Sequence, residues 1–81
     1  MSDAARSFEN LDAEIAAVFA EVLGLPEVGR DDDFFALGGH SLLAMTLIGR
    51  LRDRTGLQLA LRDVFQAPTP ARLAERIQAN A

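Results

Sequence analysis

Apolar residues recur along this chain at helical spacing in three long stretches and one short one. Leu11, Ile15, Val18, Phe19 and Val22 fall within an arc of roughly 100° when wound at 3.6 residues per turn, while Glu14 and Glu21 fall outside it. This predicts an amphipathic helix over about Phe8 to Leu23, with Ser7 or Asn10 as its cap. Gly24 followed by Pro26 stops it. A second helix is predicted from Ser41 to Arg54, closed by Gly56. Its core stripe is Leu43, Leu47 and Leu51, flanked by Ala44 and Ile48. A short helix near Leu61 to Gln66 carries Leu61, Val64 and Phe65 at helical spacing. The last helix has Thr69 as N-cap and Pro70 in the first turn, with Leu73 and Ile77 on its buried face.

Between these elements lie two connections of different kinds. Leu57-Gln58-Leu59-Ala60-Leu61 alternates in strand fashion, but a lone strand has no partner, so it reads as a loop anchored by its apolar residues. Gly24 to His40 is 17 residues long, and connections of that length are either functional or disordered. This one carries Leu25, Val28, Phe34, Phe35 and Leu37, which points to a loop packed over the core. The run Asp31-Asp32-Asp33 is placed to cap a short helical turn bearing the two Phe. The expected fold is all-α: a small bundle of four helices, one of them short, with a long loop between the first and second.

Composition sharpens this picture mainly by exclusion. The chain has 81 residues, no Cys, Trp or Tyr, and one His. It is therefore one domain without disulfides, thiolate metal sites, a thiol nucleophile of its own or a histidine-rich catalytic centre. A hydrophobic content of 49% is ample for a small core. The net charge of −4 opposes nucleic-acid backbones and anionic membranes. All eight basic residues are Arg, which reads as genomic base composition. The start, with Asp3, Arg6 and Glu9, is not a signal peptide. The longest apolar run, Ile15 to Ala20, is too short to span a bilayer. A soluble, cytoplasmic protein is expected.

The stretch Leu37-Gly38-Gly39-His40-Ser41-Leu42 stands apart. Its simplest reading is structural: two glycines turn the chain and Ser41 caps the second helix. Two observations go further. A phosphorylated species on Ser41 would meet unpaired N–H groups and the positive end of a helix dipole. Leu42, Met45 and Ser41 also lie roughly 160–260° from Leu43 around the helix axis, with Arg52 on the same side. Leu42 and Met45 thus form an exposed apolar patch beside the serine, unless loop residues cover it.

The pattern Asp33-Phe34-Phe35-Ala36-Leu37-Gly38-Gly39-His40-Ser41-Leu42 resembles the signature of peptidyl carrier (thiolation) domains of nonribosomal peptide synthetases. The resemblance runs from about Phe8 to Ile77 and includes Arg50-Leu51, Val64-Phe65 and the Thr69-Pro70 helix start. It implies that residues 8–81 form a carrier domain behind a 1–7 tail, and that the protein is not itself an enzyme. It implies that a phosphopantetheinyl transferase attaches 4'-phosphopantetheine from coenzyme A to Ser41, flanked by Gly38, Gly39 and His40. An aminoacyl or peptidyl group would then ride on the arm as a thioester, in antibiotic or related natural-product synthesis. The implied partners are an adenylation enzyme or domain, then condensation, tailoring or thioesterase enzymes, visited by a monomer. Their recognition surface would be the second helix and the long loop, with Leu42, Met45, Phe35, Leu37 and Arg52.

Competing readings fit less well. Acyl carriers of fatty-acid or polyketide synthesis resemble one another in an Asp before the serine and an acidic second helix. Here His40 precedes Ser41, and Arg50, Arg52 and Arg54 face a single Asp53. A helix-turn-helix DNA binder would need a row of cations, yet Arg50 and Arg52 are roughly 200° apart around the axis. A hydrolase would need a second glycine after Ser41 and a carboxylate to orient His40. Asp31 to Asp33 makes no calcium loop, because Phe35 stands where a ligand is needed and no turn glycine follows. A solvated acidic loop is expected there. The start at Met1 and the end just past the last helix suit a freestanding carrier, and a domain cut from a multidomain synthetase at its linkers would look similar.

Overall fold

The computed structural model describes residues 10–56 and 58–80. Its elements are α1 (Leu11–Leu23), α2 (Ser41–Thr55), α3 (Leu61–Gln66) and α4 (Pro70–Asn80). The all-α bundle with one short helix is thus as expected. The start of α1 at Phe8, the Ser7 cap, Leu57 and the 1–7 tail lie outside the described residues.

α1 buries Leu11, Ile15, Val18 and Phe19, with Val22 half-buried at the rim. Gly24 ends it in the left-handed region at φ 70°, and the Leu25 N–H reaches back to the Ala20 carbonyl at 2.9 Å. This backward bond is a Schellman-type closure, which glycine makes without a Cβ clash. α1 packs against α2 and α4, while α3 bridges α2 and α4.

The buried stripe of α2 differs from expectation. Ala44, Leu47, Ile48 and Leu51 are buried, whereas Leu43 is only half-buried at the edge of the core. α2 is covered by α1 and also by α3, so its buried arc turns toward Ala44 and Ile48. The spacing of leucines alone reports one contact face, not two. α4 begins as expected: the Thr69 Oγ1 accepts the Arg72 N–H at 3.1 Å, and Leu73 and Ile77 are buried. Leu59 is buried and anchors the connection before α3.

A polar anchor that the hydrophobic pattern does not reveal holds α3. The Asp63 carboxylate accepts the Ala60 N–H at 2.8 Å and the Arg76 Nε at 2.5 Å from α4. The Ala60 hydrogen bond and the Arg76 guanidinium hold its pKa below the usual 3.8, against the opposing effect of burial. Its ionised form therefore favours the fold above pH 3.8, and that contribution disappears as pH falls through the lower folded value. Thermal melts from pH 5 downward are expected to show a smaller acid-induced loss of Tm in Asp63→Asn than in the wild type. Equal acid slopes would remove Asp63 from this role.

Candidate functional site

The loop that leads into α2 is held at both ends of a single turn. Asp33 Oδ1 accepts the N–H groups of Phe35 at 2.8 Å and Ala36 at 3.1 Å. The Leu37 N–H closes the turn on the Asp33 carbonyl at 3.0 Å. At the far end Gly38 N–H reaches the Phe35 carbonyl at 3.1 Å and Gly39 N–H the Phe34 carbonyl at 2.9 Å. These two bonds form a Schellman closure. The acidic run is therefore more than a solvated loop: Asp33 caps the turn and Asp32 Oδ2 accepts the Gly29 N–H at 2.8 Å. Asp31 alone is simply exposed.

The two glycines are needed for different reasons. Gly38 sits at φ +107°, where side-chain-bearing residues are strained. Gly39 instead has no room: a Cβ there would run into the Phe34 ring and lie 2.6 Å from the Phe34 carbonyl oxygen.

Phe34 is the fixed point of the loop. It is fully buried, and its ring meets Phe19 edge-on at 5.1 Å and Phe35 edge-on at 5.4 Å. Phe35 then stacks on Phe65 of α3 at 5.0 Å, the planes 5° apart. Four rings thus run from the core to the surface, where Phe65 is 49% exposed. The Phe34 N–H also donates to the Pro68 carbonyl at 2.8 Å, and the Ala71 N–H to the Arg30 carbonyl at 2.9 Å. Backbone hydrogen bonds therefore tie the long loop to the start of α4.

From this platform the chain emerges extended. His40, at φ −148° and ψ 178°, is the N-cap, and its carbonyl accepts the Ala44 N–H at 2.8 Å. Ser41 does not cap α2; it is the first helical residue, one position inside. The cap position requires extended backbone, and the Schellman closure delivers that conformation at His40. The Ser41 side chain is left exposed, and the first turn of α2 carries no acidic residue.

The patch beside Ser41 is open. Leu42 is 69% and Met45 60% exposed, and the loop does not cover them. Arg52 is exposed on the same side of α2. Phe35 and Leu37 are half-buried, Phe35 through its ring contacts. Met45 and Arg52 also line a shallow groove with Ile48, Gly49, Leu59 and Leu61. Phe65, Gly49, Leu59 and Leu61 were not singled out as site residues from the sequence. The exposure of Phe65 has no sequence signal, since the sequence places it at helical spacing with Leu61 and Val64.

The three arginines of α2 are not a groove-reading row. Arg50 and Arg54 pair with the two oxygens of Glu21 on α1, at 3.2 and 2.5 Å. Among the described residues, no helix is long and apolar enough to cross a membrane.

Residues 13–77 match the family model for the phosphopantetheine attachment site. Over 68 residues the chain is 56% identical to CymA, a probable non-canonical nonribosomal peptide synthetase of Salinispora arenicola. That alignment covers 84% of this chain but 1% of the synthetase's length. Among solved structures, a nonribosomal PCP domain is 48% identical with a TM-score of 0.76, covering 82% of this chain and 84% of that one. A peptidyl carrier protein in complex with coenzyme A and the phosphopantetheine transferase Sfp is also similar. The match there has 30% identity and a TM-score of 0.80, over 85% of this chain and 90% of that one.

Proposed function

The chain belongs to the phosphopantetheine attachment family, as a carrier domain of the nonribosomal peptide synthetase type, and from that premise we propose that Ser41 bears its 4'-phosphopantetheine. The observation that carries this reading is an exposed hydroxyl at the first position of α2, directly after a loop whose backbone is fixed by Phe34, Gly38 and Gly39.

The residues present fit a phosphodiester. The first N–H groups of a helix lack intrahelical partners, and the dipole places positive potential there. With no acidic side chain in the first turn of α2, no side chain of that turn opposes a negative group. Anions at such positions are typically favoured by about 0.3–1 kcal/mol. The bound arm supplies the terminal thiol on which an aminoacyl or peptidyl group rides as a thioester. The chain's own residues present the hydroxyl, tolerate the phosphate and offer a surface to partners. The protein is thus a substrate and shuttle for other enzymes, not a catalyst.

Gly38, Gly39 and His40 shape the approach to Ser41, while Leu42, Met45 and Arg52 form the recognition surface, with Phe35 and Leu37 supporting its loop side. The partners on this reading are a phosphopantetheinyl transferase, as in the Sfp complex, an adenylation enzyme or domain, and condensation, tailoring or thioesterase enzymes. We read residues 8–81 as the carrier domain and 1–7 as its tail, acting as a monomer in the cytoplasm on an antibiotic-type product.

Coenzyme A and a phosphopantetheinyl transferase are expected to add one phosphopantetheinyl mass to the protein, read by intact mass spectrometry. An unmodified protein would overturn the assignment. Met45→Glu is expected to slow loading by the adenylation partner with little change in Tm, because the side chain is already in water. A collapse in Tm would instead make Met45 part of the core.

A further inference from the structure

One turn beyond Ser41, α2 carries a side chain whose chemistry recurs nowhere else after Met1. The sequence has no Cys, Trp or Tyr, and its two methionines are Met1 and Met45. Two-electron oxidation by peroxides falls mainly on the sulfur of Cys and Met. Met45 is therefore the one such sulfur in the folded bundle.

Its surroundings leave it open to attack. Met45 is 60% exposed and Leu42, beside it, 69%. Four positions after Ser41, it lies roughly 40° around the axis and about 6 Å along it from the serine. Oxidation of a core methionine disrupts packing. The buried residues of α2, however, are Ala44, Leu47, Ile48 and Leu51. An oxygen added at Met45 thus changes the surface and leaves the bundle intact.

We infer that Met45 is a redox modification site: a peroxide converts its thioether to the sulfoxide, and the oxidised carrier is poorly recognised by the enzymes that act at Ser41. The sulfur lone pair attacks one peroxide oxygen, so that an S–O bond forms as the O–O bond breaks. Sulfur gives up two electrons, and the proton on its new hydroxyl passes to the departing hydroxide, which leaves as water. The product places a polar, chiral group in the apolar patch of Leu42 and Met45. Methionine sulfoxide reductases reverse the step, which makes it a switch on docking. This inference rests on Ser41 as the attachment site and on Met45 as part of the recognition surface.

The test oxidises the full chain before any arm is attached, so that the arm's thiol plays no part. Hydrogen peroxide is expected to add one oxygen at Met45, located by peptide mass spectrometry, with Tm unchanged. Reduced and oxidised forms then receive the arm from coenzyme A and the transferase Sfp, which binds a similar carrier. Oxidation is expected to lower kcat/KM for arm transfer about tenfold, the size of a lost interface hot spot. Methionine sulfoxide reductases should restore the rate, and Met45→Leu, which keeps Met1, should hold its rate after peroxide. Failure of the untreated protein to gain an arm would overturn the Ser41 assignment itself. An unchanged rate in untreated Met45→Gln would remove Met45 from the recognition surface. If Met45→Gln is slow, three results still overturn the switch: Met45 left unoxidised, an oxidised wild type at full rate, or an equal peroxide loss in Met45→Leu. A fall in Tm on oxidation would overturn it too, by placing the sulfur in the core.

Discussion

Ser41→Ala is expected to lose phosphopantetheine attachment completely while keeping the wild-type fold. The hydroxyl is exposed and His40, not Ser41, occupies the N-cap position of α2, without a side-chain capping bond, so removing one oxygen takes away no capping hydrogen bond. Had Ser41 been the N-cap, the same substitution would cost about 1 kcal/mol. The corrected geometry separates the two effects. Intact mass spectrometry after incubation with coenzyme A and a transferase should show the unmodified mass, and the thermal melt should match the wild type. A gain of mass in Ser41→Ala would relocate the attachment site. A markedly lower Tm would show that the serine also has a structural role.

Phe34→Ala is expected to be the most damaging single truncation. Its ring is fully buried and joins α1 to the loop through Phe19 and Phe35. The backbone of Gly39 is built against the same ring. Burial of this kind corresponds to about 3–5 kcal/mol on truncation, and small domains hold only about 5–15 kcal/mol in all. Urea denaturation should therefore show a loss of about 3–5 kcal/mol, a large share of the total. Because the turn before Ser41 rests on that ring, the rate of phosphopantetheine transfer should fall as well, even where the variant is still folded. A loss below about 1 kcal/mol would mean the loop is held by its hydrogen bonds rather than by Phe34.

These two residues show how differently the parts of the site were legible. Ser41 stood out at once, since a glycine pair followed by a serine at a helix start is a local pattern. Phe34 is legible as one of two Phe on a capped turn within the same motif, but not as the residue that holds it. That it would lie under Gly39, donate its N–H to Pro68 and touch Phe19 depends on segments distant in sequence. The Asp63–Arg76 pair is similar: both residues look like ordinary solvated charges until α3 and α4 meet. The Asp31–Asp33 run lies between these cases. Its capping role at the two-Phe turn could be read from the sequence, but its division of labour among three acids could not.

By itself the sequence determined the helices, their punctuation by Gly24, Gly56 and Thr69-Pro70, and the motif around Ser41. Each of these depends on a period of 3.6 residues or on backbone preferences acting over a few positions. Tertiary structure alone decided how far the buried arc of α2 turns from Leu43 toward Ala44 and Ile48, why Gly39 has no substitute, and that a groove runs from Met45 to Arg52. Those outcomes depend on how α3 and the long loop pack on α2, and a contact between distant segments leaves no periodic trace in either one.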